Sequence, residues 1–244
     1  MTVMLGFTSE KHKVSFLGAD DLEAMSGQKE DKVNLFFKRF LVGGVGTNVV
    51  YKAANVLKAF ENLDTFFSDG SQFEYPKSIS SFCEAVATIL PIVARHTYRG
   101  LENATTSGRL TQKQADLIKT MRNDLYLIDT KEFRICHAAF DLVYPVKENY
   151  GFQIVVLPAS RLFRFGIDEA TDLGGITEEM RQPSLEWVGR RLNEAKQEVA
   201  SGGGDPDLIG ELGACYLSRE GRIIRRTIHT SLKAVALRYF PPPG

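Results

Sequence analysis

Residues 40–60 read FLVGGVGTNVVYKAANVLKAF, a glycine-rich turn that separates two apolar segments. The segment after the turn has apolar side chains at the spacing of a helix. The segment before it, from Val33 to Leu41, also fits helical spacing better than the alternation of a strand. We therefore expect the glycines to end one helix and to act as a hinge, while Thr47 or Asn48 caps the next helix.

This glycine turn does not match the loops that bind phosphate. A P-loop carries a lysine and a hydroxyl residue directly after its last glycine, whereas Gly46 is followed by Thr47 and Asn48. A dinucleotide-binding fingerprint needs a third glycine at the correct spacing, a preceding strand and an acidic residue about 20 positions further on. The sequence therefore predicts no nucleotide site at this turn, and no cofactor.

Length and composition indicate a globular protein with a sizeable core. The chain has 244 residues, of which 43% are hydrophobic and 25% charged. It contains no apolar run long enough for a transmembrane helix, and its first residues lack the pattern of a secretory signal. The three cysteines are far apart and form no C-x-x-C pair, which indicates reduced thiols. We expect a cytoplasmic protein, present in the host cytoplasm and the virion if it is viral.

Periodicity along the chain predicts mostly helices. Alternation in the first 18 residues indicates a short hairpin or an extended arm, and residues 151–157 read as a strand. Helices are predicted at 19–26, 31–42, 48–67, 78–98, 111–128, 131–143, 183–200 and 219–239. The expected fold class is mainly α: a two-lobed helical protein with a short N-terminal β hairpin or arm and minor strand content near 151–157. Its predicted domains are an arm at 1–18, a helical N-terminal lobe at 19–144, a C-terminal lobe at 145–240 and a Pro-rich tail at 241–244.

The side chains that commonly carry catalysis do not form a convincing group. On a helix, His137 and Asp141 would share a face, but the adjacent Cys136 and His137 would point about 100° apart and could not pair. The four histidines show no metal-ligand spacing. The acid pairs Asp20-Asp21 and Glu178-Glu179 fall at predicted helix starts, where the helix dipole favours acidic residues. The sequence therefore predicts neither an active site nor a metal site.

Two segments are locally basic although the 30 basic and 30 acidic residues cancel. Arg222, Arg226 and Lys233 would line one side of the predicted C-terminal helix, opposite an apolar stripe. The tract from Arg95 to Arg99 mixes cations with a tyrosine, as single-strand binders do. The candidate nucleic-acid-binding residues are Arg95, Arg99, Lys119, Arg122, Arg222, Arg226 and Lys233. The same cations would also serve to pair with acidic residues of the chain, or to contact an anionic membrane surface.

The stretch Asn48–Ala53, with the sequence NVVYKA, resembles a shortened N-V-V-x-x-x-K-A tract of the plant-infecting emaraviruses. It lacks two residues of that tract. Together with the size, the predicted helical lobes, the arm and the basic segments, it resembles nucleoproteins of segmented negative-strand RNA viruses. The resemblance implies a protomer that coats genomic RNA through phosphate contacts and polymerises through its arms. Coat proteins of flexuous plant viruses fit the same description.

We therefore predict a non-catalytic, self-assembling protein of the nucleoprotein or coat type. It would bind single-stranded RNA through the phosphate backbone, without sequence specificity, and form homo-oligomers through its termini. The alternative is a protein-interaction or scaffold module whose basic C-terminal helix docks an acidic partner.

Overall fold

The computed structural model describes residues 2–22, 29, 31–46, 49–64, 75–120, 123–142, 144, 146, 148, 150–166, 170–226, 228–231 and 234–237. The strands are β1 (Met4–Ser9), β2 (Val14–Asp20), β3 (Val33–Phe36), β4 (Phe40–Gly46), β5 (Asn123–Asp129), β6 (Arg134–Phe140), β7 (Phe152–Leu157), β8 (Arg161–Phe165), β9 (Ala170–Gly175), β10 (Leu212–Arg219), β11 (Arg222–Arg226), β12 (Ile228–Ser231) and β13 (Ala234–Leu237). The helices are α1 (Val49–Asp64), α2 (Ile79–Thr106), α3 (Gln112–Thr120) and α4 (Leu185–Ser201).

The predicted N-terminal hairpin forms the middle of a six-stranded antiparallel sheet. The strand order is β11-β10-β2-β1-β8-β9. Strands β1 and β2 pair along their whole length, from Met4 opposite Ala19 to Ser9 opposite Val14. Strand β10 then pairs with the other edge of β2. Strands β1 and β2 are therefore central to the sheet, and Asp20 at the end of β2 is buried.

Helix α4 covers one face of this sheet. Ser184 accepts a hydrogen bond from the backbone N–H of Trp187 and so caps the helix. The Trp187 ring packs edge-on against Phe7 and Phe16. These aromatic residues lie in a cluster of buried apolar side chains contributed by β1, β2, β10 and α4. Burial of this apolar area is the main stabilising term for the sheet.

The second sheet is antiparallel, with five strands in the order β3-β4-β5-β6-β7. The turn between β3 and β4 is fixed by Arg39, whose guanidinium makes two hydrogen bonds to Asp129, of 2.9 Å to Oδ1 and 2.5 Å to Oδ2. Because this pairing favours the charged guanidinium, the pKa of Arg39 is raised. Strands β12 and β13 form a separate two-stranded sheet.

The glycines of the opening stretch lie in strand β4, so the prediction that they end a helix is wrong. Their small size has a packing reason. A Cβ on Gly44 would lie 2.5 Å from the Cβ of Tyr51, which is in α1. Glycine therefore allows β4 and α1 to approach closely. The predicted caps, Thr47 and Asn48, lie outside the described residues.

The helices predicted at 48–67, 78–98 and 183–200 correspond to α1, α2 and α4. Helix α2 runs through Pro91 and begins with a capping box between Ser78 and Ser81. The capping box predicted at Thr111 and Gln114 is also present, with reciprocal bonds of 2.9 and 3.3 Å. Helix α3 nevertheless ends at Thr120, well before the predicted end at residue 128.

The mainly α fold predicted from the sequence is wrong, since the structure is a mixed α/β fold with two antiparallel sheets. Segment 31–42, predicted as a helix, forms the β3–β4 hairpin, and segment 131–143 contains β6. The predicted C-terminal helix at 219–239 is also wrong: it is replaced by β11, β12 and β13 in its described part. In the described parts of these segments, the backbone groups of the strands pair with neighbouring strands instead of within a helix.

The chain divides into two compact units. Unit 1 contains Met1–Gly43, Tyr126–Cys136 and Val156–Gly244. Unit 2 contains Gly44–Leu125 and His137–Val155. The division into an arm, two lobes and a tail stays a prediction, and its tail at 241–244 lies outside the described residues.

Candidate active site

The side chain of Asp20, at the end of β2, is fully buried and holds four hydrogen-bond donors. Oδ1 accepts the backbone N–H of Val3 at 2.7 Å. Oδ2 accepts the Nζ of Lys32 at 2.7 Å, the N–H of Gly210 at 3.0 Å and the N–H of Leu22 at 3.3 Å. Asp20 is 0% exposed and Lys32 6% exposed. This is a buried ion pair tied to three backbone segments of unit 1.

Glycine at position 210 is required for this arrangement. A Cβ there would lie 2.4 Å from the backbone nitrogen of Leu22 and 2.5 Å from Oδ1 of Asp21. Such distances are shorter than van der Waals contact, so a larger residue would push the N–H of Gly210 away from Asp20. The segment before β10 therefore brings the N–H of Gly210 to the buried carboxylate of Asp20.

Thr2 is held next to this ion pair by its neighbour Val3. The backbone N–H of Val3 donates to Oδ1 of Asp20, and its carbonyl accepts the N–H of Asp20 at 3.0 Å. Both backbone groups of Val3 are therefore bound to one residue. This leaves little freedom for Thr2, the residue immediately before it, which is half-buried.

The face of the sheet on which Thr2 lies follows from the alternation of side chains along β1. Val3 belongs to the apolar cluster beneath α4, so Met4 points to the opposite face. On that face, Sδ of Met4 lies 2.3 Å from the position that a Cβ of Gly43 would take, and the carbonyl of Lys32 lies 3.5 Å from the same position. If the alternation of β1 continues back to Thr2, its side chain is on the same side as that of Met4.

The energetics of the pair favour a role beyond stability. Moving two charges out of water costs more than their attraction often returns, so a buried ion pair is a poor source of stability. An ammonium group also has three N–H donors. Within the described residues, Nζ of Lys32 bonds to Asp20 alone.

Cys136 and Cys215 are poor nucleophiles in this structure. Burial raises the pKa of the Cys136 thiol to about 11 and that of Cys215 to about 12. The reactive thiolate form is therefore almost absent near neutral pH. Cys136 and His137 lie on strand β6, where adjacent side chains point to opposite faces, so the predicted helical geometry is wrong. Nε2 of His137 lies 3.1 Å from Oδ2 of Asp124.

The predicted RNA-binding residues are divided between the two units. Arg95 and Arg99 are exposed on α2, and Lys119 of α3 lies 4.3 Å from the ring centre of Tyr144. In unit 1, Arg222 is exposed on β11. The remaining predicted cations are Arg226, which donates to the carbonyl of Pro183 at 2.8 Å, and Arg122 and Lys233, which lie outside the described residues.

Sequence reasoning missed Thr2, Asp20 and Lys32. It placed Asp20 at a helix start, whereas Asp20 is the last residue of a buried strand. One signal was present: Asp20 follows the apolar run Phe16-Leu17-Gly18-Ala19, and an acidic residue in such a setting needs a buried partner. The partner itself could be identified only from the paired strands.

No model of a known protein family matches this chain. No curated protein matches it either. Among the described residues, no group of three or more His, Cys, Asp or Glu side chains is placed to hold a metal ion. The described helices are all too short or too polar to cross a membrane.

Proposed function

We propose that this protein hydrolyses amide bonds, with the hydroxyl of Thr2 as nucleophile once the peptide bond before Thr2 has been cut. The observation that carries the proposal is the buried Asp20–Lys32 ion pair held against the backbone beside Thr2. A threonine that becomes an N-terminal residue has its own α-amine available as a base, which is an established way to activate this hydroxyl. The proposal departs from the non-catalytic protein expected from the sequence.

Each of the three residues has a defined role. The free α-amine of Thr2, whose ordinary pKa is about 8, accepts the proton from the hydroxyl near neutral pH. The ammonium of Lys32 lies in a buried setting, where it stabilises negative charge that develops on the Thr2 oxygen. Asp20 accepts a hydrogen bond from Nζ of Lys32 and holds it in place, so it acts as a positioning residue.

The reaction proceeds in two balanced steps. In the first, Oγ of Thr2 attacks the amide carbonyl, the C–N bond breaks, and the proton taken by the α-amine passes to the leaving amine. This leaves an ester between Thr2 and the acyl group. In the second step, water attacks the ester, the C–O bond breaks, and a carboxylic acid leaves while the Thr2 hydroxyl regains its proton.

The test joins protein chemistry with kinetics. Mass spectrometry of the purified protein should show a chain that begins at Thr2. A panel of acyl-aminocoumarin amides should contain substrates that are turned over. Thr2→Ala should lower this turnover by at least about a thousandfold, as loss of a nucleophile does. Thr2→Ser should retain part of it, because serine keeps the hydroxyl and the α-amine.

A matched control separates catalysis from folding. Thr111→Ala removes an exposed threonine at the start of α3 and should leave turnover unchanged. Lys32→Met should lower turnover while the protein stays folded by circular dichroism. Full turnover by Thr2→Ala, or a chain that retains residues before Thr2 and is still active, would overturn the proposal.

The RNA-binding nucleoprotein remains a separate prediction. The exposure of Arg95 and Arg99 supports this prediction. The C-terminal cations support it less, because the helix predicted to carry Arg222 and Arg226 is a strand and Arg226 already donates to a backbone carbonyl. Filter binding of single-stranded RNA across a range of salt, with the Arg222→Ala/Arg226→Ala double variant, tests it. Each lost phosphate contact should lower the salt slope by about one. Unchanged affinity would remove the C-terminal cations from that hypothesis.

A further inference from the structure

Helices α1 and α2 of unit 2 pack together and leave an apolar groove of about 680 Å³ on the surface. Its sides include Lys52 and Val56 from α1 and Ile92, Val93 and Leu101 from α2. Ile92 is 70% exposed, an unusual value for a large aliphatic side chain within an amphipathic helix. Val56 is also exposed. The helices therefore present apolar side chains that they do not bury against each other.

The rim of this groove is positively charged. Lys52 and His96 line the groove, and Arg95 and Arg99 are exposed on α2 beside it. Residues 85–101 of α2 and 49–60 of α1 contain no aspartate or glutamate. Among the described residues, no carboxylate makes an ion pair with Arg95 or Arg99. This is the basic tract that sequence analysis singled out, and the Thr2 site does not use it.

We propose that this groove binds an amphipathic helix of an acidic partner protein. Grooves between helices take the apolar face of a partner helix through side chains spaced at i, i+4 and i+7. From Ile92 to Leu101 the groove follows about 14 Å of α2, and residues i to i+7 of a helix span about 11 Å. The apolar floor thus accommodates three anchors. Glutamates or aspartates flanking those anchors meet the cationic rim.

The same groove is poorly suited to single-stranded RNA. Binding of single strands uses aromatic rings on which bases stack, next to cations that contact phosphate. Tyr98, the aromatic residue of the basic tract, is only 2% exposed, so its ring is not accessible for stacking. The exposed floor is aliphatic instead. An aliphatic floor with a cationic rim matches the two faces of an acidic amphipathic helix.

The experiment selects binders from a displayed library of helical peptides of about 18 residues, long enough to span the groove. Apolar residues are fixed at i, i+4 and i+7, and the flanking positions are drawn equally from glutamate, lysine and glutamine. The full-length protein is the target. Selected peptides and an oligouridine RNA are then titrated by fluorescence anisotropy against wild type, Ile92→Glu, Arg95→Glu/Arg99→Glu and the control Lys113→Glu. Lys113 is an exposed cation of α3 that does not line the groove.

We expect enrichment of glutamate at the flanking positions. Ile92→Glu and Arg95→Glu/Arg99→Glu should each weaken the selected peptides at least tenfold, and Lys113→Glu should leave affinity unchanged. Because these side chains are exposed, the variants should keep the circular dichroism spectrum of the wild type. Enrichment of lysine, no selected peptide, or equal affinity for wild type and Ile92→Glu would overturn the proposal. Two other results, in the absence of a selected peptide, would assign the groove to a different occupant and overturn the proposal. RNA binding that depends on Arg95 and Arg99 would indicate RNA. A dimer that Ile92→Glu dissociates would indicate a second copy of the chain.

Discussion

Replacing Asp20 by asparagine should destabilise the protein strongly. The substitution keeps the shape of the side chain but removes its charge, which leaves the ammonium of the 6% exposed Lys32 without its counter-charge. Breaking a buried pair from one side costs about 3–5 kcal/mol of unfolding free energy. Lys32→Met should cost less, about 1–3 kcal/mol, because the Asp20 carboxylate keeps the N–H donors of Val3, Leu22 and Gly210. The double variant should cost less than the two single variants together.

Urea unfolding followed by the fluorescence of Trp187 measures these costs. Trp187 is the single tryptophan of the sequence, and it packs on Phe7 in the same compact unit as the ion pair. With a urea dependence of about 1–3 kcal/mol per molar, a loss of about 3 kcal/mol moves the midpoint by about 1–3 M. Asp207→Asn changes an exposed aspartate and is the control, with no expected change. An Asp20→Asn midpoint equal to that of the control would show that the Asp20–Lys32 pair contributes nothing to stability.

Three further substitutions test other parts of the structure. Gly44→Ala places a Cβ 2.5 Å from that of Tyr51 and should lower the unfolding free energy by about 1–3 kcal/mol. This loss should appear as a lower melting temperature, and an unchanged melting temperature would contradict the close approach of β4 and α1. Arg39→Lys replaces two hydrogen bonds to Asp129 with at most one and should cost about 1–2 kcal/mol, so a melting temperature equal to wild type counts against the paired geometry. The raised pKa of Cys215, about 12 in the folded chain against 9.0 ordinarily, means that above about pH 9 the unfolded chain binds fewer protons. Stability should then fall by about 1.4 kcal/mol per pH unit, and Cys215→Ala should reduce that slope in urea unfolding between about pH 9 and 11. The same slope in both proteins would contradict this.

The helices of this fold could be predicted where caps and amphipathic spacing agree. Thr111 and Gln114 mark the start of α3, and the apolar positions of α4 repeat at helical intervals around the buried Trp187 and Leu192. Their ends were harder to predict. Helix α3 stops at Thr120 because residues from Asn123 onward pair as strand β5, and pairing between distant segments leaves no local signal.

The β3–β4 and β5–β6 hairpins were missed because their turns lack the usual residues. Phe37 and Lys38, between β3 and β4, both have positive φ values, which glycine and asparagine normally adopt. Phe133, between β5 and β6, has φ of 52°. Without a glycine signal at these turns, the apolar residues of the strands were interpreted as helical periodicity. At the C-terminus, Gly221 was present, but Arg222 and Arg226 of β11 were interpreted as part of one face of a helix.

The candidate site could not be predicted because its parts are distant in sequence. Lys32 lies 12 residues from Asp20, Val3 lies 17 residues away, and Gly210 lies 190 residues away. No local motif relates these positions. They meet because β10, which enters late in the chain, pairs with β2 at the centre of the sheet. The basic tract at Arg95–Arg99 could be recognised from sequence, but the apolar groove beside it required the packing of α1 on α2.

Chemical labelling of Thr2 shows whether its hydroxyl is the nucleophile. A β-lactone, which acylates an activated hydroxyl by ring opening, is incubated with the native protein, and the modified peptide is identified by tandem mass spectrometry. We expect one acyl group per chain, attached to the hydroxyl oxygen of residue 2, in the wild type and in Thr2→Ser, and none in Thr2→Ala. Labelling of wild type and Thr2→Ala to the same extent, or an unmodified Thr2 peptide in the native protein, would contradict it.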